Sequence, residues 1–259
     1  MEGTEEKRQK LAEMMDKLAG EDIMVAFSGG VDSSLLLKAA CDSAGRTGKK
    51  VYAVTIQTAL HPTEDIEVAG RVAKEMGAVH VILSVDELAE AGIEDKAQEL
   101  GVPVIVEGTN ADDLTVYRPG IRAIRELGIT SPLALLGITK EEVRKFAGEY
   151  GISVSNRPSA PCLATRFPYG TRLNMDKMKQ VDQGEAYLRS LGLYNVRIRV
   201  HGEVARIEVD EKDMLAVLAH RKDLVSRLEA LGFLYVTLDL KGFRSGSMDT
   251  GLNAETAEY

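Results

Sequence analysis

In the first part of the chain, short apolar runs of strand length alternate with segments whose apolar residues recur at helical spacing. The predicted strands are residues 23–27, 51–56, 78–85 and 102–108, and the predicted helices between them are residues 31–40, 61–77 and 86–101. Gly45 and Gly48 are predicted to end the first of these helices, and Gly77 to close the second, as is usual at helix ends. Strands and helices that alternate in this way form parallel sheets covered on both faces. The pattern therefore predicts a doubly wound, Rossmann-like α/β sheet.

The last part of the chain has a different pattern. It contains an amphipathic helix at residues 174–192, two alternating strands at residues 195–210, a helix at residues 210–232 and a final strand at residues 233–240. Helices mixed with antiparallel strands indicate a separate, smaller α+β unit. A boundary near residue 170 divides the chain into two predicted domains, residues 1–170 and 171–259.

The segment between the two patterns is less regular. A polar loop at residues 109–120 is followed by short predicted helices at residues 121–128 and 139–151, and then by a connection at residues 152–172. This connection holds three of the seven prolines of the chain. A stretch of this length without a regular pattern is usually a functional loop or an interdomain linker.

Composition and charge narrow the class of protein. The 259 residues are 44% hydrophobic and 28% charged, which is a globular balance. No apolar run approaches the roughly 18 residues of a transmembrane helix, and the charged N-terminal segment is not expected to be a signal peptide. The net charge of −8 argues against a nucleic-acid partner and favours a small-molecule substrate.

The two cysteines of the chain, Cys41 and Cys162, are too few for a disulfide framework or a four-thiolate metal site. We therefore expect a reducing, cytoplasmic location. Cys41 lies on the apolar face of a predicted helix and is expected to pack in the core. Cys162 lies in a polar loop between Arg157 and Arg166, which are able to stabilise a thiolate. An inert, buried thiol is the alternative at this position.

The sharpest motif is SGGVDSS at residues 28–34, between the first predicted strand and helix. Gly29 and Gly30 allow the backbone to approach a ligand and to point N–H groups at it. The following helix presents its positive end, and hydroxyl donors come from Ser28, Ser33 and Ser34. These features predict a cradle for phosphate or pyrophosphate at the carboxyl edge of a parallel strand. A glycine turn with Ser and Asp helix caps is the structural alternative.

Three acidic residues are candidate magnesium ligands. Asp32 lies inside the predicted phosphate loop, where a bare carboxylate would repel phosphates unless Mg²⁺ bridged them. Asp112 and Asp113 follow the fourth predicted strand, at the same edge of the sheet, and either hold Mg²⁺ or cap a turn. Arg118, in the nearby YRPG sequence, is either a phosphate or carboxylate ligand or an exposed arginine.

SGGVDSS resembles the pyrophosphate loop of the ATP-pyrophosphatase superfamily, and it fits neither the Walker A loop nor the GxGxxG loop. Four further segments narrow the resemblance: GTNADD with YRPG at residues 108–120, SPLALLGITKEEVRKFA at 131–147, PCLATRFPYG at 161–170 and VRIRVHGEVARIEV at 196–209. Together they resemble the LarE family, the ATP-dependent sacrificial sulfur transferases of nickel-pincer cofactor synthesis. The resemblance runs from about Val25 to Met248.

The resemblance implies a fold like that of the adenine nucleotide alpha hydrolases and a defined chemistry. ATP, with Mg²⁺, would adenylate a carboxylate of pyridinium-3,5-dicarboxylate mononucleotide and release pyrophosphate. The thiolate of Cys162 would then displace AMP, and elimination would leave a thiocarboxylate on the substrate and dehydroalanine on the protein. Thiolate attack on an activated carboxylate is ordinary nucleophilic chemistry. The resemblance also implies a homo-oligomer.

Further candidate residues lie in the second predicted domain. Arg197 and Arg199 alternate on one face of a predicted strand, so both can point at one anion. They resemble arginines that bind the substrate phosphate in the family, while Glu185 and Glu208 resemble acidic residues near the substrate or a metal. With Arg166, these residues form the predicted substrate site.

The chain departs from the family pattern before the GTN sequence. An Arg-Cys-Tyr-x-Cys-Lys-like stretch is expected there, whereas residues 86–101 read DELAEAGIEDKAQELG and contain no cysteine. Two cysteines also cannot build an iron–sulfur cluster held by three or four thiolates. Three other functions stay open: a tRNA thiolase, an amide-forming synthetase that uses ammonia, and a module that binds a nucleotide without turning it over.

Overall fold

The computed structural model describes residues 3–58, 60–85, 92–115, 128–157, 162–244 and 246–248. The chain divides into two compact units. The first unit contains Met1–Thr58 and Thr63–Ala160, and the second contains Ala59–Pro62 and Pro161–Tyr259. The chain thus enters the second unit before the predicted boundary near residue 170. The reason is that Leu163 and Phe167 pack in the core of the second unit.

The first unit is built on a parallel sheet. Its strands are β1 Ile23–Ala26, β2 Val51–Gln57, β3 Val79–Ser84 and β4 Val104–Glu107. They lie in the order β3-β2-β1-β4, and every pairing in the sheet is parallel. Because β2 and β4 lie on opposite sides of β1, the loops that follow β1 and β4 lie side by side at the point where the strand order reverses. The predicted doubly wound α/β sheet is confirmed.

Helices cover both faces of this sheet. They are α1 Thr4–Leu18, α2 Val31–Thr47, α3 Thr63–Glu75, α4 Ile93–Leu100, α5 Pro132–Leu135 and α6 Lys140–Glu149. Successive strand residues point to opposite faces. Ile23 and Val25 of β1 therefore lie in the core that α1, α2, α3 and α6 cover, whereas Met24 packs with Ile93 and Ala97 of α4.

Two helices differ from their predicted bounds. The first helix after β1 continues through Gly45 to Thr47, and Gly48, which caps its end, adopts a left-handed conformation with φ 72°. A glycine inside a helix is tolerated, whereas the left-handed residue after the helix favours glycine. Helix α4 begins after Gly92, and residues 86–91 of the predicted helix lie outside the described residues. The helix predicted at residues 121–128 also lies outside them, except for its last residue.

The second unit has a three-stranded sheet in the order β5-β6-β7. Its elements are α7 Met175–Ser190, β5 Val196–His201, β6 Val204–Val209, α8 Met214–Ala219, α9 Arg221–Ala230 and β7 Tyr235–Leu238. The predicted hairpin is present, because β5 and β6 are antiparallel and meet at the turn that contains Gly202. The final strand is not antiparallel to its neighbour. Strand β7 pairs with β6 in parallel, and the helices α8 and α9 form the crossover between the two strands.

The single helix predicted at residues 210–232 is two helices. The helical run is interrupted at His220, whose φ of −91° and ψ of 9° depart from helical values. A hydrophobic period alone does not reveal such a break, because apolar residues continue on both sides of it, with Val217 buried before His220 and Leu224 and Leu228 buried after it. Within the described residues, no helix combines the length and the apolar character that a bilayer crossing requires.

Candidate functional site

The loop after β1 is shaped by its two glycines. Gly29 has φ 70°, a conformation that side chains other than glycine rarely adopt. A Cβ atom at this position would also lie 3.0 Å from the Cα of Ala69 in α3, so the loop is packed against a helix backbone. Gly30 precedes α2 with an extended backbone. Position 29 of the predicted glycine turn therefore requires glycine, both for its backbone conformation and for its close approach to α3.

The start of α2 has the form of an anion site. Gly30, its N-cap, has no side chain and so makes no side-chain capping hydrogen bond at the N-terminal end of the helix. The hydroxyls of Ser28 and Ser33 lie 3.1 Å apart, and the Ser33 hydroxyl also donates to the Gly30 carbonyl at 3.2 Å. Ser34 Oγ is buried without a hydrogen-bond partner in the described part of the chain. Open N–H groups and hydroxyls at a helix N-terminus are suited to phosphate.

Asp32, in the first turn of α2, connects the loop to the segments after β4. Its Oδ1 accepts a hydrogen bond of 3.0 Å from Asn110 Nδ2, and its Oδ2 pairs with Lys140 Nζ. Gly108 allows this approach, because a Cβ there would lie 2.8 Å from the backbone nitrogen of Ser33. The segments that follow β1 and β4 thus meet at the carboxylate of Asp32. The ion pair of Asp32 with Lys140 places one negative and one positive charge beside the glycine loop.

Asp112 and Asp113 lie in a short 3-10 helix, Asp112–Thr115, and both make contacts that order this loop. Asp112 Oδ2 accepts from the backbone nitrogen of Lys140 at 2.8 Å, at the start of α6. Asp113 Oδ2 accepts from the backbone nitrogen of Asn110 at 3.2 Å. Turn formation is therefore an observed role of these carboxylates, and their magnesium role stays a prediction.

Among the described residues, no group of three or more His, Cys, Asp or Glu side chains forms a metal site. Mg²⁺ at nucleotide sites is usually held by one or two carboxylates and by the phosphates themselves. The carboxylate of Asp32 at the edge of the loop fits that mode of binding. Arg118, the other predicted nucleotide ligand, lies outside the described residues.

Sequence reasoning did not single out Lys140 and Asn110. Lys140 is the first residue of α6 and lies within the capping box that Thr139 and Glu142 form. The helix dipole disfavours a positive charge at a helix N-terminus. A lysine at this position therefore indicated that another interaction stabilises it. Asn110 is buried, and its Oδ1 accepts from the backbone nitrogens of Asp112 and Asp113. Its position in the TNADD sequence indicated a turn but not the contact with Asp32.

Cys162 begins a second candidate site, in the second unit. It is the N-cap of the 3-10 helix Leu163–Arg166, and we call residues 162–166 the cysteine turn. The thiol is half-buried, and Sγ accepts from the backbone nitrogen of Ala164 at 3.4 Å. The carbonyl of Cys162 accepts from the backbone nitrogen and the hydroxyl of Thr165 at 3.0 and 2.9 Å. The thiol is thus presented on an ordered turn.

The two arginines that flank Cys162 in sequence have different partners. Arg157 pairs with Asp65 of the first unit at 2.6 Å. Arg166 is buried, and its Nε and Nη2 each lie 2.9 Å from a different oxygen of Glu185. Its Nη1 donates to the Cys162 carbonyl at 3.2 Å. The described contacts of Arg166 therefore fix the backbone of the turn.

Glu185 is held where α7 packs closely on β5. Gly184 permits this packing, since a Cβ there would lie 2.6 Å from Ile198 Cδ1. The backbone nitrogen of Ile198 donates to Glu185 Oε1 at 3.0 Å. Burial alone would raise the pKa of Glu185, but the hydrogen bonds and charge of Arg166, together with the charge of Arg197, lower it below its usual value. Glu185 is therefore a buried carboxylate that stays ionised.

The other predicted substrate residues lie on the neighbouring hairpin. Arg199 Nε donates to Glu208 Oε2 at 2.9 Å, and Arg199 Nη1 donates to the carbonyl of Thr165 at 3.0 Å. Arg197 lies over the ring of Phe243, with 5.3 Å from Cζ to the ring centre. Burial, with repulsion from Arg166, lowers the pKa of Arg197 to about 10. The structure thus brings the five predicted residues together around the cysteine turn.

Replacing Glu185 with glutamine is expected to lower the free energy of unfolding by about 3–5 kcal/mol, because Arg166 then stays buried without its counter-charge. Since the folded-state pKa of Glu185 is lowered, its stabilisation is fully present above the unfolded-state pKa and is lost as the pH falls through the folded-state pKa. Urea unfolding of both proteins at neutral and acidic pH measures the effect. The difference between them should shrink in acid.

The matched control is Glu211→Gln, which removes the same charge from an exposed position in the same unit. A surface change of this kind is expected to alter stability by no more than about 0.5 kcal/mol. Equal unfolding midpoints for the two variants would show that the Arg166–Glu185 pair does not stabilise the second unit.

The glycine loop, the open start of α2 and the carboxylate of Asp32 define a nucleotide-binding protein of the PP-loop class. The family described as a PP-loop domain matches residues 4–117. More narrowly, the chain is 37% identical over 257 residues to the pyridinium-3,5-bisthiocarboxylic acid mononucleotide synthase of Lactiplantibacillus plantarum, and the match covers 92% of each chain. The protein belongs to the LarE family of PP-loop ATP pyrophosphatases.

Two further relatives match over most of their length. An uncharacterised protein of Synechocystis is 35% identical over 266 residues, which cover 95% of this chain and 97% of the relative. An uncharacterised protein of Methanocaldococcus jannaschii is 26% identical over 90% of this chain and 94% of its own. The family, the enzyme class and the fold predicted from the sequence are confirmed.

Proposed function

We propose that the protein is an ATP-dependent sulfur transferase that acts on pyridinium-3,5-dicarboxylate mononucleotide. A carboxylate of the substrate is adenylated with release of pyrophosphate, and the sulfur of Cys162 then replaces AMP. The observation that carries the proposal is the 37% identity with a pyridinium-3,5-bisthiocarboxylic acid mononucleotide synthase, over 92% of both chains. The half-buried thiol on an ordered turn supports the sulfur step.

In the adenylation step, the chain binds and orients the phosphates. The N–H groups at the start of α2, with the hydroxyls of Ser28 and Ser33, would hold the phosphates of ATP. Asp32 would hold Mg²⁺, which neutralises phosphate charge when it is bound. Lys140, now paired with Asp32, supplies a second positive charge beside the loop. These groups favour departure of the pyrophosphate, whose negative charge grows as it leaves.

In the sulfur step, the thiolate of Cys162 attacks the activated carbonyl carbon. A C–S bond forms, the C–O bond to AMP breaks, and AMP leaves with the electron pair, while the thiol proton has passed to a base in solution. A solvent base then removes the Cα proton of Cys162. The Cα–Cβ double bond forms, and the Cβ–S bond breaks with its electrons on sulfur. The products are a thiocarboxylate and dehydroalanine at position 162.

The intact mass of the protein tests this function. After incubation with Mg-ATP and the pyridinium dicarboxylate mononucleotide, we expect the loss of one H₂S per chain, located in the peptide that contains Cys162. Pyrophosphate should appear in parallel. Release of pyrophosphate with an unchanged protein mass would contradict the sacrificial step, because the sulfur would then come from another donor. Binding of ATP without pyrophosphate release would contradict the whole proposal.

Replacing Lys140 with alanine is expected to slow pyrophosphate release by about 100-fold, because one preorganised charge beside the leaving group is lost. The measurement is pyrophosphate release in a single turnover with saturating ATP. Lys145→Ala is the control, because Lys145 is an exposed lysine of the same helix. If the two variants release pyrophosphate at the same rate, Lys140 serves only to hold Asp32.

We further propose that the second unit contributes to substrate binding and self-association. The partner of the chain would be a small nucleotide-like carboxylate, the protein would form a homo-oligomer, and it would act in the cytoplasm. The clustering of the predicted substrate residues in the second unit supports the first point. Light scattering on the purified protein tests the oligomer, and a monomer at micromolar concentration would contradict it.

A further inference from the structure

The chain turns directly after β7, at residues 239–244, which we call the C-terminal turn. The backbone nitrogen of Asp239 donates to the carbonyl of Ile207 at 2.8 Å. The backbone nitrogen of Phe243 donates to the carbonyl of Val209, also at 2.8 Å. Both acceptors belong to β6, so both ends of the C-terminal turn are fastened to the same strand of the hairpin.

Gly242 lets the C-terminal turn lie close to β6. Its φ is 69°, and a Cβ there would lie 3.0 Å from the carbonyl oxygen of Val209 and 3.2 Å from Met214 Cε. A backbone conformation of this kind and an approach of this closeness both favour glycine. The next residue, Phe243, is therefore held at a set position beside the end of β6.

Phe243 lies against one of the predicted substrate arginines. The Cζ atom of Arg197 lies over the ring of Phe243, 5.3 Å from the ring centre. The negative face of an aromatic ring attracts a guanidinium that lies over it. Such a contact uses the face of the guanidinium and none of its N–H groups, which lie in its plane. The ring can thus hold Arg197 without competing with a phosphate for hydrogen bonds.

Arg197 lies among other arginines, which repel it. Burial is the main cause that lowers the pKa of Arg197 to about 10, and the charge of Arg166 contributes. The charges of Arg199 and Arg189 act in the same direction, whereas that of Glu185 opposes them. A substrate phosphate would relieve this repulsion when it binds. Before it binds, the attraction of the Phe243 ring offsets part of the repulsion.

The same turn supports Arg199 through two side chains. Asp239 Oδ2 accepts from Arg206 Nη1 at 2.8 Å, and Arg206 Nη2 lies 3.3 Å from Glu208 Oε1. The other oxygen of Glu208 accepts from Arg199 Nε at 2.9 Å. Arg199 and Arg206 lie directly opposite each other on the hairpin, where like charges are destabilising unless carboxylates compensate them. Asp239 thus helps to keep Glu208 and Arg199 paired.

We propose that the C-terminal turn positions the substrate-binding arginines, and that Phe243 is the positioning residue of Arg197. The inference rests on the proposed function, in which the second unit binds the substrate. An arginine that is already held in place loses less side-chain entropy when the phosphate arrives. Phe243 therefore raises the affinity for the substrate and takes no part in the chemical steps.

The variant Phe243→Leu tests the proposal, because leucine keeps an apolar side chain and removes the aromatic ring. We expect the KM for the pyridinium substrate, measured by pyrophosphate release, to rise about 10-fold, with an unchanged rate at saturation. Phe243→Tyr keeps the ring and should keep the KM of the unmodified protein. A lowered rate at saturation with an unchanged KM would overturn the proposal. A tyrosine variant as weak as the leucine variant would overturn it too.

Tyr187→Leu is the matched control. Tyr187 is a partly buried aromatic residue that packs against the core of the same unit. Its replacement should leave the KM for the pyridinium substrate unchanged. An equal rise of the KM in Tyr187→Leu and Phe243→Leu would show that the loss of any aromatic side chain in this unit weakens the site.

A double-mutant cycle shows whether Phe243 acts through Arg197. Arg197→Met keeps a side chain of similar length without the charge that the ring attracts. In this background, Phe243→Leu should change the KM by less than about twofold, because residues that act as a unit are not additive. A full rise of about 10-fold in both backgrounds would contradict the proposal, since independent sites have additive effects.

The exchange of the Arg197 Nε–H proton with water, followed by NMR, decides the inference without any substrate. In Phe243→Leu this proton should exchange at least about 10-fold faster, while the amides of β5 and β6 keep their protection. Unchanged exchange would overturn the inference even if sulfur transfer were established. Faster exchange confined to Arg197, in a protein that transfers no sulfur, would support the positioning while the proposed function failed.

Discussion

Replacing Cys162 with alanine is expected to abolish sulfur transfer completely and to leave the release of one equivalent of pyrophosphate intact. Adenylation needs the loop after β1, whereas the C–S bond needs a thiolate, and alanine cannot supply one. The assay follows pyrophosphate, thiocarboxylate product and protein mass in the same single-turnover reaction. The variant should accumulate adenylated substrate without any change in its own mass.

Cys41→Ala is the control for this experiment. Burial is the main cause that raises the pKa of the Cys41 thiol to about 11, so little thiolate exists at neutral pH. Cys41 lies on α2, and its side chain packs against the core of the first unit. Sulfur transfer in this variant should match that of the unmodified protein. Transfer that survives Cys162→Ala and disappears in Cys41→Ala would reassign the sulfur donor.

Replacing Gly29 with alanine is expected to lower ATP-dependent pyrophosphate release by at least about 100-fold. The added Cβ would lie 3.0 Å from Ala69 Cα and 3.1 Å from its backbone nitrogen, so either the loop or α3 must move. The φ of 70° adds a cost of about 1–2 kcal/mol for a residue with a side chain. Both effects displace the N–H groups at the start of α2. Calorimetric titration with ATP and the pyrophosphate assay measure the loss.

Gly77→Ala separates the two causes. Gly77 has φ 75°, close to that of Gly29, but a Cβ there would meet nothing within 4 Å. The control should lose stability through its backbone conformation and keep full activity. Equal activity in Gly29→Ala and Gly77→Ala would show that the close approach to Ala69 does not shape the phosphate site. A loss only in Gly29→Ala attributes the effect to that approach.

Much of the fold of the first unit could be predicted because its strands are apolar runs of strand length separated by segments of helical period. Residues 23–27 and 102–108 read as apolar runs, and β1 and β4 lie within them. The break at His220 and the parallel pairing of β7 could not be predicted. Neither changes the apolar period of the local sequence, and strand direction depends on the path of the crossover helices.

The candidate site divides in the same way. The glycine loop could be predicted because a glycine pair, hydroxyl side chains and the start of a helix occur together in seven residues. The ion pair between Asp32 and Lys140 could not be predicted, because 108 positions separate the two residues. The same limit applies to the second site. Arg166 and Arg199 could be predicted as site residues from their sequence position or from the family pattern. Their ion pairs with Glu185 and Glu208 could not, because these depend on how α7 packs on the hairpin.

The sequence by itself determined the parallel sheet, the glycine loop after its first strand and the cysteine in a polar segment. These features follow from periodicity and from residue chemistry over a few adjacent positions. The tertiary structure alone decided which charges meet and which carbonyls they hold. Ion pairs and close approaches between distant segments depend on burial and packing, and a burial pattern is a property of the folded chain and not of any local stretch.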